Sequence, residues 1–210
     1  KTIAIARHCN QASVEEPDEE ENDETPKISG DPTEQALLVL SEKTDKEKNG
    51  YEVLDDLPFN AKQKFRATLV KKDEEKELFV VGAPEVILKK SGKILEKEGA
   101  KKLTDRKRTK IREQMEAWTD NAMRVIALGF KSAEDAAQAE AGMVNELTLA
   151  GIVGLTDPPR PEIKTAVEEC KRAGIRVVMV TGDHKKTATA IARQVDIKKK
   201  KKNLDDFPVA

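Results

Sequence analysis

YEVLDDLPF at Tyr51–Phe59, KFRATLVK at Lys64–Lys71 and ELFVV at Glu77–Val81 read as three successive β-strands. Each is short, rich in Val, Leu and Phe, and bounded by polar residues. The polar run Lys72 to Lys76 between the last two predicts a hairpin, and so antiparallel pairing.

On either side of these strands the pattern changes to helix. Asp31-Pro32-Thr33 predicts a helix start, with Asp31 as cap, Pro32 in the first turn and a buried side of Ala36, Leu37, Val39 and Leu40. That helix should end before Gly50. Lys1 to Asn10 predicts a short helix, followed by a loop through Pro17, an acidic block, Pro26 and Gly30. Pro84 to Lys90 fits another short helix, and Asp105 to Asn121 a longer one, with Ile111, Met115 and Trp118 recurring at helical spacing on one apolar side. Met123 to Phe130 and Leu147 to Leu155 are β-like, and the Ala- and Glu-rich stretch between them has no assignment. The first part of the chain is thus expected to be α+β, an antiparallel sheet flanked by helices.

The character changes at Asp157. Pro158, Pro159 and Pro161 stiffen the chain, and Pro161 opens a predicted helix with Ile163, Val167, Cys170 and Ala173 on its apolar side, ended by Gly174. Ile175 to Val180 then reads as a continuous apolar strand, giving way at Thr181-Gly182-Asp183 to a helix through Ala188, Ile191, Ala192 and Val195. Helix, buried strand, loop, helix is part of a doubly wound, Rossmann-like α/β domain. The expected division is 1–156 and 157–210.

The totals fit one large domain or two small ones: 210 residues, 38% hydrophobic, 37% charged and 3% aromatic. A formal net charge of −1 lacks the clustered cationic excess that nucleic-acid binding requires. Charge is segregated all the same, with an acidic stretch from Glu15 to Glu24 and a basic run from Lys198 to Lys202, expected to be solvated. Cys9 and Cys170 form no CxxC, and His8 and His184 are isolated, so neither a disulfide framework nor a metal cluster is expected. The longest apolar runs, such as Val177 to Val180, are far short of the ~20 residues a membrane span needs. No stretch resembles a signal peptide.

Thr181-Gly182-Asp183 is the most informative local feature, because ligands of open α/β sheets bind at the carboxyl ends of strands. Gly182 lets backbone approach a phosphate, Thr181 offers a hydroxyl, and the N–H groups of the next helix favour anions. Asp183 would meet a phosphate through a magnesium ion or a hydrogen bond, or would simply cap the helix. On these three residues alone both readings stay open.

An ordered series weighs further. Gly30-Asp31-Pro32-Thr33-Glu34-Gln35-Ala36-Leu37-Leu38, Pro58-Phe59-Asn60 with Lys64, Gly82-Ala83-Pro84-Glu85, Met123-Arg124-Val125-Ile126-Ala127-Leu128, Asp157-Pro158-Pro159-Arg160, and Ala173-Gly174-Ile175-Arg176 running into Thr181-Gly182-Asp183 follow one another. The series resembles the P-type ATPases of the calcium-, sodium- and proton-pumping branch, from about Ala4 to Ile197. The resemblance implies a nucleotide-binding domain followed by part of a phosphorylation domain of haloacid-dehalogenase-like fold. It implies that Phe59 stacks on adenine, Glu34 hydrogen-bonds near it, and Lys64 and Gly82 line the same pocket. Arg124 would reach the phosphates and Ile126 the base or ribose. Thr181, Gly182 and Asp183 would meet the terminal phosphate, with Asp157 and Arg160 as the interdomain hinge.

Two departures shape the expected function. The family usually carries lysine directly before Gly-Ala-Pro-Glu, where this chain has Val81, so weak ATP affinity is expected, with Lys62 or Arg66 standing in. The Asp-Lys-Thr-Gly-Thr acceptor motif, the later lysine and the magnesium motif are missing, so no catalytic residue and no resident metal site is expected here. The resemblance implies a cytosolic segment of an integral membrane cation pump that uses ATP and Mg2+. Its partners would be the membrane, actuator and remaining phosphorylation parts of the parent, the isolated chain being monomeric and without ATPase activity. The competing readings are a nucleotide-sensing module without catalysis and a haloacid-dehalogenase-like phosphatase fragment.

Overall fold

A computed structural model describes residues 1–15, 27–44, 50–157, 159–181 and 185–197. It falls into two compact units, Lys1–Ile111 with Val125–Leu155, and Arg112–Arg124 with Thr156–Ala210.

The first unit opens with α1 (Thr2–His8), then a small antiparallel ribbon of β1 (Ser13–Glu15) and β2 (Lys27–Ser29), then α2 (Pro32–Thr44). β3 (Glu52–Asn60), β4 (Phe65–Lys72) and β5 (Glu75–Gly82) follow as the three strands read from the sequence, and both hairpins pair antiparallel. α3 (Pro84–Lys90), β6 (Ser91–Glu96), β7 (Gly99–Lys102), α4 (Asp105–Asp120), β8 (Arg124–Ser132) and β9 (Leu147–Leu155) complete it. The sheet has seven strands in the order β3-β4-β5-β8-β9-β6-β7. It is mixed rather than purely antiparallel, because β6 runs parallel to β9.

Both faces of the central strands are covered, so they read as apolar runs instead of alternating. Leu78 and Val80 of β5 face a core with Phe65, Ala67, Leu69, Ile87 and Leu147; Phe79 and Val81 face the opposite one, with Ile5, Leu37, Ile126 and Leu128. Large side chains such as Phe79, Leu78 and Leu128 are fully buried, each stabilising the fold by about 1.5–3 kcal/mol. α2 buries Leu37 as expected, together with Leu38 and Ser41, whereas the expected Ala36, Val39 and Leu40 are only half-buried. Sequence reasoning missed the β1–β2 ribbon and the β6–β7 hairpin. Of the stretch without assignment, 131–146, the first two residues extend β8 and the rest packs Ala133, Ala139 and Val144 into the first core and donates the Ala139 N–H to Asp55 Oδ2 at 2.7 Å. Along α4, Ile111, Met115 and Trp118 are only half-buried.

In the second unit, α5 (Pro161–Arg172) has proline in its first turn and ends where Gly174 takes φ 75°. The Ile175 N–H donates back to Cys170 O at 2.8 Å, which closes the helix end. α6 (Lys185–Gln194) follows, and just beyond its end Asp196 pairs with Lys164 of α5 at 3.3 Å. Ile175 to Val180, expected as a buried strand, joins no sheet among the described residues. Ile175, Val178 and Val180 are 57%, 64% and 90% exposed, because a strand needs a ladder neighbour and apolar cover that this unit does not supply. The acidic stretch from Glu16 onward and the run Lys198–Lys202 lie outside the described residues.

Candidate functional site

The β3–β4 turn and the end of β5 meet at one rim of the sheet. Asn60 shapes the turn: its Oδ1 accepts the Lys62 N–H at 2.9 Å, and its carbonyl accepts the Gln63 and Lys64 N–H groups. Lys64 takes a left-handed φ of 58°, and its carbonyl accepts the Ala83 N–H at 2.9 Å. Gly82 lies opposite Phe65, so close that a Cβ there would fall 2.5 Å from Lys64 O and 2.6 Å from Phe65 Cβ. No other residue fits this crossing. Phe59, next to last in β3, is 59% exposed, an open aromatic side chain beside this rim. Lys64 Nζ pairs with Glu85 at 3.3 Å, both side chains more than half exposed, so the ammonium stays available to a ligand.

A charged cluster lies on the α1–α2 face of the same strands. Asp31 caps α2, its Oδ1 accepting the Thr33 N–H at 2.8 Å, and Asn10 Nδ2 donates to Glu34 O at 2.8 Å. Gly30 at φ 126° approaches Ala12, which brings α1 and the head of α2 together. Glu34 thereby reaches Arg66 of β4, whose Nη1 binds Glu34 Oε1 while Nη2 binds both oxygens of Asp56 at 2.8 and 2.9 Å. Thr68 Oγ1 and Gln11 Nε2 also donate to Asp56. Burial pulls the Arg66 pKa down, but hydrogen bonding to Asp56 and the surrounding charges, Glu34 included, outweigh it and raise it overall. Burial also pushes the Cys9 thiol, which donates to Phe79 O nearby, up to about 12, so it stays protonated and inert.

The structure therefore brings Phe59, Lys64 and Gly82 to one rim, and Glu34 to β4 through Arg66. Ile126 is buried on the Glu34 side of the sheet, in the same core as Val81. Val81 itself is buried and sits directly across from Arg66 on the neighbouring strand, whereas Lys62 is exposed on the turn. Arg124 opens β8, is exposed, and groups with the second unit. In that unit Asp157 and Arg160 line a crevice of about 410 Å³ with Ile163, Met179, Ile191 and Val195. Thr181 is exposed, while Gly182 and Asp183 lie outside the described residues. Among the described residues no group of acidic, His or Cys side chains could hold a metal ion, and no helix is long and apolar enough to cross a membrane.

Residues 1–162 match the family described as P-type ATPase, cytoplasmic domain N. This chain belongs to the P-type cation ATPases. Among relatives of this P-type ATPase chain, the calcium-transporting ATPase of Bacillus subtilis is 32% identical over 94% of the chain, and calcium-transporting ATPase 1 of Bacillus cereus 36% over 90%. Calcium-transporting ATPase 1 of Saccharomyces cerevisiae is 31% identical over 94%. The P-type ATPase chain spans only 21–22% of the length of these relatives. Asp56, Thr68, Asn10 and Gln11 were not foreseen as parts of the cluster. The available signal was an arginine and a threonine, Arg66 and Thr68, alternating with Phe65, Ala67 and Leu69 in an otherwise apolar strand: charge on a covered face demands partners.

Proposed function

We propose that this chain is the ATP-holding cytosolic segment of an ATP-driven calcium pump, and that it delivers ATP to an acceptor aspartate carried elsewhere in the parent. Phe59 offers its open face to the adenine ring, Glu34 accepts a hydrogen bond from the base, and Lys64 and Gly82 line the same pocket. Ile126 touches the base or ribose. Arg124 supplies a guanidinium suited to bidentate phosphate contact, and Thr181, Gly182 and Asp183 meet the terminal phosphate. Residues 1–156 form the nucleotide-binding domain and 157–210 part of a haloacid-dehalogenase-like phosphorylation domain, hinged at Asp157 and Arg160 so that closure brings ATP to the acceptor. Magnesium enters with the nucleotide. The isolated chain binds but does not hydrolyse.

The observation that carries this reading is the rim itself: an exposed Phe59 ring, the exposed Lys64 ammonium and the Gly82 crossing at the ends of three adjacent strands, in a chain of this family. An exposed aromatic and an exposed cation flanking one turn suit a purine nucleotide. Titrating ATP into the isotope-labelled chain tests it. Amide shifts should cluster at Phe59, Lys64, Gly82 and Glu34; shifts scattered elsewhere, or none at millimolar ATP, would remove the assignment.

A further inference from the structure

Arg66 is the least expected side chain in the first unit, a guanidinium 4% exposed inside an apolar strand. It bridges two carboxylates from different elements, Glu34 of α2 and Asp56 of β3. Its Nε is buried without a partner. A residue kept only for stability would not be expected in this form, because a buried ion pair can often be replaced by apolar side chains at no loss, and an unsatisfied buried donor costs stability. A planar fork instead supplies orientation: it fixes the angle between the two acids it joins.

We infer that Arg66 is a positioning residue for base recognition: it holds the Glu34 carboxylate so that Oε2 accepts a hydrogen bond from the amino edge of adenine, which makes the site select adenine over guanine. The inference rests on the nucleotide-binding reading above. The geometry supports each step. Asp56 anchors the guanidinium to the sheet through two hydrogen bonds and is itself held by Thr68 and Gln11. Asn10 fixes the backbone of Glu34. Arg66 takes Oε1 of Glu34, the side chain remains 18% exposed, and Oε2 has no partner among the described residues. Two carboxylates and one guanidinium leave one net negative charge, which favours a donor. At the six-position adenine presents an amino group, whereas guanine seated in the same pose presents there a carbonyl oxygen that a carboxylate repels.

The test is to titrate the folded chain with MgATP and with MgGTP by calorimetry, for wild type, Arg66→Lys, Arg66→Met and Glu34→Gln, with thermal unfolding as the check on folding. Wild type should prefer ATP by about tenfold or more, the usual scale for one hydrogen bond to a charged group. Arg66→Lys retains the charge and loses the fork, so its ATP affinity should fall while its GTP affinity holds, erasing most of the preference. Arg66→Met should do the same, and if it does not fold, Arg66→Lys decides. Glu34→Gln should erase the preference too, and combining it with Arg66→Lys should add little. A wild-type chain that binds ATP without preference over GTP, an Arg66→Lys chain that keeps the preference or loses both nucleotides equally, or multiplicative losses in the double variant would overturn the inference alone. A wild-type chain that binds neither nucleotide overturns the site assignment, and this inference with it.

Discussion

Alanine at position 82 puts the crossing of β4 and β5 under direct strain. The added Cβ would lie 2.5 Å from Lys64 O, 2.6 Å from Phe65 Cβ and 2.8 Å from Phe65 Cα, where ordinary contact begins at 3.4 Å. Two of those three atoms are backbone and cannot rotate away, so the strands must separate by roughly 0.9 Å, an overpacking of the kind that costs ~1–3 kcal/mol. Separation also strains the hydrogen bond from the Ala83 N–H to Lys64 O, worth about 1 kcal/mol net. Together these predict a loss of about 2–4 kcal/mol, or about 4–16 °C in melting temperature for a chain of this size. Urea unfolding followed by far-ultraviolet circular dichroism measures it, and amide exchange at Ala83 should accelerate in step. Gly92→Ala is the control, because nothing lies within 4 Å of its Cβ; it should stay within about 0.5 kcal/mol of wild type. If Gly82→Ala unfolds together with that control, the claim that this crossing admits only glycine is wrong.

Lys64→Ala separates stability from binding. Its ion pair with Glu85 is solvent-exposed and should contribute under ~0.5 kcal/mol, so the melting curve should barely move while ATP affinity falls severalfold. Lysine at Val81, by contrast, would place a second cation against Arg66 in a covered site; we expect Val81→Lys to lose about 2–4 kcal/mol without gaining ATP affinity, and Arg66→Met to relieve part of that loss in the double variant, both readable by urea melts and calorimetry. His8 has its pKa lowered from 6.5, by burial first and then by Arg7. The neutral ring is therefore favoured in the fold, and its contribution is complete above pH 6.5 and lost as pH falls from there toward the lower folded pKa. Melting temperatures of wild type and His8→Gln, compared from pH 8 to pH 5, should converge on the acid side; a constant difference would dismiss the effect.

Strong local signals carried the sequence reading furthest. Asp31-Pro32 marked the start of α2, Gly174 the end of α5, and the apolar runs at 65–70 and 78–81 the central strands, because each records a backbone requirement that few residues meet. The β6–β7 hairpin escaped because Lys93, Lys97, Lys101 and Lys102 hide its alternation, leaving Ile94 and Leu95 as its half-buried large apolar residues; lysines on an exposed edge strand guard against pairing but erase the strand signature. The parallel β6–β9 contact was out of reach, since strand order depends on packing across the whole sheet. Ile175 to Val180 failed in the opposite way: its composition is that of a core strand, yet composition cannot supply neighbours. The rim residues Phe59, Lys64 and Gly82 were named from resemblance, whereas the Arg66–Asp56 pairing emerged only once the register of β3, β4 and β5 was known.

That same bare segment governs how the chain behaves in a test tube. Ile175, Val178 and Val180 present a greasy, unpaired length of backbone to water, the kind of template on which a second molecule readily adds. Work on the isolated polypeptide is therefore best done dilute and cold, with a charge introduced at Val180 as the simplest remedy for clumping. Phe59, Lys64 and Gly82 belong to the other unit.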